Sequence, residues 1–158
     1  MQIRVLLACL LLLFPGCFGD EEGPDFNGKN LNKMDVYKFT LSDTNQSDFS
    51  LTELEGQVVV LAFVYTRCDD VCLLIANNLK FAKSQLTEEE LEKVSFVSVT
   101  IDWRHDSPEV LGDWADEMGL DWPHLTDWNS DEIKTTYEEY DVAVSYTHLT
   151  LPTIGCVG

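Results

Sequence analysis

Hydrophobic and polar positions change rhythm along this chain, and each change marks an element. Val36–Leu41, VYKFTL, alternates as a strand does, and Asp43-Thr44-Asn45-Gln46 makes a turn. Ser50–Leu54 reads as a short connection that ends at Gly56. Gln57–Tyr65, QVVVLAFVY, is apolar and β-branched with no polar alternation, which suits a strand buried on both faces of a parallel sheet. From Val71 to Leu86, the residues Val71, Leu74, Ile75, Leu79 and Ala82 recur at helical spacing. Thr87 before Glu88-Glu89-Glu90 restarts a short helix with a cap and an acidic first turn. Val94–Ile101 is the next strand. Ser107-Pro108-Glu109 opens a further helix that Gly119 stops. Leu125-Thr126-Asp127 forms a short strand or turn, and Ser130-Asp131-Glu132 caps a last helix reaching about Tyr140. Strand, helix, strand, helix in this order predicts an α/β fold in one domain, with right-handed crossovers onto a parallel sheet.

Both ends of the chain fall outside that pattern. Arg4 is followed by VLLACLLLLF and then by Pro15, Gly16 and Cys17. A positive residue, an apolar core too short to span a bilayer and a small residue at its end make residues 1–17 an export signal. Gly16-Cys17 resembles a bacterial lipobox, so Cys17 is the expected lipidation site and the domain is expected at the outer face of the cytoplasmic membrane. Ordinary cleavage nearby, or an uncleaved signal anchor, is the alternative. Residues 18–34 are polar, contain Gly and Pro, and read as a flexible tether. At the other end, VSYTHLTLPT (Val144–Thr153) has no hydrophobic period, and one codon choice for it resembles the transposon-end adapter of sequencing libraries. Residues 144–158 are therefore read as adapter read-through on a truncated copy, the alternative being a natural tail. The domain proper is then 35–143.

At 158 residues the chain holds one globular domain, and 45% hydrophobic against 24% charged residues is ordinary for a packed one. The charge is not: 10 Lys+Arg against 28 Asp+Glu give a formal net charge of −18. Such a surface repels phosphate backbones and argues against a nucleic-acid partner. Of five cysteines, Cys9 lies in the signal, Cys17 at the lipobox and Cys156 in the tail. Only Cys68 and Cys72 remain in the domain, which makes it the carrier of one dithiol rather than a disulfide scaffold.

Cys68 falls in the loop leaving the buried strand and Cys72 in the first turn of the next helix. Residues four apart share a helix face, about 5–6 Å apart at Cβ. The helix N-terminus is expected to lower at least the Cys72 pKa, against the opposing charges of Asp69 and Asp70. The pair can close a disulfide after modest adjustment or chelate one soft ion such as Cu(I) or zinc, and two cysteines exclude a four-cysteine zinc site. Inert burial and a plain structural disulfide stay open on spacing alone. The neighbouring Thr66, Arg67, Asp69 and Asp70 suit an exposed site at the end of a parallel strand, where ligands bind in such sheets.

FVYTRCDDVC resembles the copper-site motif of the Sco/SenC family, with Tyr65, Thr66, Cys68, Asp70, Val71 and Cys72 in matching places. VSVTIDWRHDSPEVL is similar to a second family block, matched at Asp102, Arg104, Asp106 and Pro108 with Ser107 in a Thr position. LTELEGQVVVLAFVY resembles the family's strand-entry segment, and the likeness covers roughly Asp35 to Asp127. It implies a thioredoxin-like fold with copper as cofactor, held by Cys68 and Cys72. It also implies copper delivery to, or reduction of cysteines in, the copper-bearing subunit of cytochrome c oxidase. Two departures stand out. Leu73 replaces the Pro that usually follows the second cysteine. The family's third ligand, a late-loop His, and its terminal hairpin and helix lie beyond Ala143, which would leave a sheet edge open. His148 sits at a tempting distance but inside the adapter-like string. His105 and His124 read as surface or loop-packing histidines, and Trp103, Trp114, Trp122 and Trp128 as packing residues. The same pair could instead serve a thiol–disulfide oxidoreductase or peroxidase, although three intervening residues rather than two favour chelation. A binding lipoprotein with an incidental disulfide is the remaining alternative.

Overall fold

The computed structural model describes residues 36–68, 70–128, 131–142 and 155–157. The chain divides into residues 1–31 and 32–158, and the second unit carries the domain. The expected export signal, Cys17 and the tether lie outside the described residues, as do 143–154. Among the described residues no helix is long and apolar enough to cross a membrane.

The elements among the described residues are, in chain order, β1 (Thr40–Asp43), β2 (Asp48–Ser50), a 3-10 turn (Leu51–Leu54), β3 (Val58–Val64), α1 (Val71–Gln85), α2 (Glu88–Leu91), β4 (Val94–Thr100), α3 (Pro108–Met118), β5 (His124–Thr126), α4 (Glu132–Glu139) and β6 (Gly155–Val157). The strands form one sheet in the order β2-β1-β5-β4-β3-β6. β3, β4 and β5 run parallel, as their pattern predicts, while β1, β2 and β6 join antiparallel to their neighbours.

The first strand differs from expectation. Phe39 and Leu41 are buried and Lys38 and Thr40 exposed, so the alternation over Val36–Leu41 is real. The ladder nevertheless begins only at Thr40, where Ser50 lies opposite. The turn after it is built by Asp43, whose Oδ1 accepts from the backbone N–H groups of Asn45 (2.8 Å) and Ser47 (2.9 Å). Gln46 takes a left-handed φ of 62°, and the turn closes a hairpin onto β2, a strand too short and polar for the sequence pattern to reveal.

Parallel strands carry apolar residues to both sheet faces. Val59, Leu61 and Phe63 of β3 and Val97 and Val99 of β4 pack on one face with Ile133 and Tyr137 of α4. Ala62, Val64 and Phe96 pack on the other with Ile75, Ala76 and Leu79 of α1 and Ala115 of α3. Leu74 and Ala82, placed on the buried face by spacing, are exposed instead, and Cys72 takes the inner position. Helix ends follow their signals. Thr87 and Glu90 cap each other reciprocally at α2. Ser107 Oγ accepts from Val110 N at 3.3 Å ahead of Pro108. Gly119 ends α3 with φ 62° and ψ 47°, the left-handed region that glycine enters without penalty.

A sheet edge is expected to stay open; β3 is covered in its middle, where β6 pairs with Val59, Val60 and Leu61. A strand edge presents unpaired N–H and C=O groups, and a nearby extended segment satisfies them by pairing.

Candidate metal centre

Three parallel strand ends converge on the loop that bears the first cysteine. After β3 the chain turns, with Cys68 N donating to Tyr65 O at 3.3 Å. Within that turn Thr66 is held by Asp106, whose carboxylate accepts from Thr66 N (3.2 Å) and Thr66 Oγ1 (2.5 Å). Asp106 sits on the loop after β4, where Asp102 O accepts from the N–H groups of His105 (2.8 Å) and Asp106 (2.9 Å). Thr100 Oγ1, at the end of β4, donates to the same carboxylate. Thr126 Oγ1, at the end of β5, donates to Asp106 O at 2.8 Å. On the rim, Arg67 pairs with Asp102. Most of the Arg67 side chain is in water, so this pair orients the loop more than it stabilises the fold.

Cys68 and Cys72 come together below this loop. Both are free thiols, 4% and 1% exposed, and Cys72 N donates to Cys68 Sγ at 3.1 Å. Burial alone would raise the Cys68 pKa. Hydrogen bonds to its sulfur from the Cys72 thiol, the Tyr65 hydroxyl and the N–H groups of Cys72 and Asp70 outweigh burial and hold it below the ordinary thiol value. Cys72 goes the other way, pushed up by burial first and then by donating to Cys68. The expectation that the helix N-terminus lowers Cys72 is therefore corrected. The N–H groups at the start of α1 point at the sulfur of the preceding loop residue, so Cys68 receives their stabilisation.

The other candidates fall elsewhere. His105 is exposed on the loop after β4. His124 is buried at the start of β5, opposite Ser98 in the ladder and two residues before Thr126. It lies 5.8 Å from the Trp114 ring and 5.6 Å from the Trp122 ring, centroid to centroid. Neither of its ring nitrogens has a hydrogen-bond partner, and burial pulls its pKa down to about 4. His148 and Asp69 lie outside the described residues. Cys156 stands opposite Val60 in the β3–β6 ladder. Trp122 donates from Nε1 to Ser98 Oγ at 2.9 Å in the core, Trp103 packs beneath the Arg104 guanidinium, and Trp128 is exposed. Among the described residues no three His, Cys, Asp or Glu side chains form a metal cluster. The donor set here is two sulfurs, which fits a soft ion such as Cu(I) and not a hard cation.

Spacing within a motif does not reveal the contacts of Thr66, Thr100 and Asp106. Thr66 and Asp106 are forty residues apart in sequence, and only their separate places in the two resembled blocks hint at a shared role.

Several known proteins resemble this chain in sequence and fold. The SCO1 protein homolog of Bacillus subtilis is 27% identical over 84% of this chain and 67% of its own length. A SCO1/SenC family lipoprotein from Bacillus anthracis superposes with a TM-score of 0.56 and 29% identity, over 66% of this chain and 64% of that one. Yeast Sco1 with copper bound superposes with a TM-score of 0.62 and 22% identity, over 75% and 68%. The chain spans only 35% to 53% of the length of further Sco-type relatives. The thioredoxin-like fold expected from the sequence is the fold these structures share with it. The SCO1/SenC family model matches residues 28–153, which begins earlier and ends later than the 35–143 expected from the pattern. Matched over most of its length, the chain belongs to the SCO1/SenC family.

Proposed function

We propose that this protein binds one copper ion through Cys68 and Cys72 and passes it to the copper-bearing subunit of cytochrome c oxidase. The observation that carries the reading is the pair of buried thiols, not joined in a disulfide and four residues apart at the start of α1, with Cys72 N only 3.1 Å from Cys68 Sγ. Copper-bound Sco structures from yeast and Arabidopsis support it, as does a Bacillus Sco described as belonging to a family of cytochrome c oxidase assembly proteins. When bound, copper supplies a soft Lewis acid for the two sulfurs. The chain's own residues bury the pair from water, hold Cys68 with hydrogen bonds to its sulfur and keep the loop in place through Asp106. Cys17 is the proposed lipid anchor, supported by the apolar run ending in Gly16-Cys17 and by the B. anthracis relative being a lipoprotein. Titrating the reduced protein with Cu(I) against a competing chelator tests the site. Affinity unchanged in both Cys68→Ser and Cys72→Ser would sink it. Fractionation and intact mass of wild type and Cys17→Ser test the anchor, which fails if the wild type is soluble and unmodified.

A second reading is thiol–disulfide exchange by the same pair. It is favoured by the asymmetry of the two thiols, one lowered and one raised. Turnover of a disulfide substrate by the copper-free protein, lost in Cys68→Ser, would select it.

A further inference from the structure

Asp106 is a carboxylate with no exposed surface, buried where the ends of three strands meet. Its two oxygens accept from Thr66 N, Thr66 Oγ1 and Thr100 Oγ1. Its own N–H donates to Asp102 O, and its carbonyl accepts from Thr126 Oγ1. A buried carboxylate is costly unless its bonds are satisfied, so a position that keeps one serves an end that a hydrophobic residue would not.

What it holds is specific. Thr66 is the second residue of the turn closed by Cys68 N and Tyr65 O, and two of the bonds to Asp106 come from Thr66 alone. Thr100, by contrast, is at the end of β4, within the sheet ladder. The carboxylate thus ties the loop that carries Cys68 to the sheet. Cys72 N donates to the Cys68 sulfur at 3.1 Å, where that turn places it.

We propose that Asp106 is the positioning residue of the dithiol: by clamping Thr66 it fixes the Tyr65–Cys68 turn and so sets where Cys68 Sγ stands relative to Cys72. The proposal rests on the copper reading for its metal readout, while its redox readout needs no metal. Groups that orient metal ligands from behind typically change metal affinity about 10- to 100-fold when removed.

The test compares two substitutions that each remove one hydroxyl from the same carboxylate. Thr66→Val acts on the cysteine loop and Thr100→Val on the strand. Thr66→Ser is the rescue, and Asp106→Asn removes the clamp itself. Each full-length protein is assayed for Cu(I) affinity by chelator competition, for the thiolate-to-Cu(II) absorption band, and for thermal midpoint. The reduction potential of the Cys68–Cys72 pair is measured in a glutathione buffer, where two thiols lose two electrons and two protons and glutathione disulfide becomes two glutathiones. Clamping predicts that Thr66→Val weakens Cu(I) binding about 10-fold or more, moves the absorption band and shifts the potential. Thr66→Ser restores all three, and Thr100→Val, which cuts the sheet end of the tie and leaves both Thr66 bonds to Asp106 in place, lowers the thermal midpoint and moves the site readouts less than Thr66→Val does. Equal effects of Thr66→Val and Thr100→Val on every site readout overturn the proposal, as does a wild-type potential and band in Thr66→Val. Should Asp106→Asn not fold, the threonine variants decide. If wild type takes up no copper, the copper reading falls and the potential alone judges the clamp.

Discussion

Buried His124 makes the fold sensitive to mild acid. Its ring is 3% exposed, it lies within 6 Å of two indoles, and neither nitrogen has a partner. Burial lowers its pKa from 6.5 to about 4. The unfolded chain therefore takes up a proton on this histidine at a pH where the folded one does not. A lowered value on a base means that stability is complete above pH 6.5 and is lost as pH falls towards 4, below which both states are charged. Every tenfold difference in proton affinity between the unfolded and folded chains is worth about 1.4 kcal/mol, so between pH 7 and 4.5 the loss is about 2 kcal/mol. That is a sizeable part of the roughly 5–15 kcal/mol a domain possesses. The perturbation is His124→Phe, which keeps an aromatic ring between Trp114 and Trp122 and removes the titration. Urea unfolding followed by tryptophan fluorescence, at several pH values from 7 to 4.5, gives the stability of each protein. The variant should gain on wild type by about 2 kcal/mol over that range. Carboxylates such as Glu90 and Asp121, held low by their partners, titrate in both proteins and cancel in the difference. Parallel stability curves would refute the reasoning.

Gly119→Ala should cost about 1–2 kcal/mol, because it puts a side chain at φ 62° and its Cβ would come 2.7 Å from Lys80 Nζ, displacing the bond from that ammonium to Met118 O; an unchanged denaturation midpoint contradicts this. Thr87→Ala removes the reciprocal cap of α2 and should cost about 1 kcal/mol, with hydrogen exchange rising at Glu89 and Glu90 first; uniform exchange would contradict a local cap. A limiting dose of iodoacetamide at mildly alkaline pH should label Cys68 ahead of Cys72, since only Cys68 lies below the ordinary thiol value. Peptide mass mapping reads the ratio, and equal labelling contradicts the asymmetry.

Much of the sheet was legible because its central strands carry no polar alternation: Val58–Val64 and Val94–Thr100 must bury both faces, and only a parallel core between helices allows that. Helix limits were legible where a local device sets them, as at Ser107-Pro108 and Gly119. β2 was not, because Asp48-Phe49-Ser50 has one apolar residue and gets its strand character from pairing with Leu41, not from its own composition. Leu74 was misplaced for a related reason. Period alone cannot separate two adjacent apolar residues on a helix, and Ile75 won the inward place while Leu74 stayed 60% exposed. At the site, the four-residue spacing of Cys68 and Cys72 was enough to bring the sulfurs together. It was not enough to say which one the helix N-terminus serves, because that depends on where the loop before the helix turns.

That loop connects the chemistry to the rest of the fold. Thr66 in the turn after β3 and Thr100 and Thr126 at the ends of β4 and β5 each send a hydroxyl to Asp106, the first two to its carboxylate and the third to its carbonyl. β-branched residues are favoured in strands for their packing, yet Thr100 and Thr126, like Thr66 in the turn, place an oxygen where valine would have put a methyl. A valine there would leave Asp106 short of a donor in a site without water exposure, a loss of about 1–3 kcal/mol for each bond. The short strand β5, three residues long, is joined to the site by one such bond. The cysteine geometry depends on sheet ends as much as on the CxxxC spacing, and the spacing by itself, moved to another strand–helix junction, would carry the sulfurs without the orientation that makes them differ.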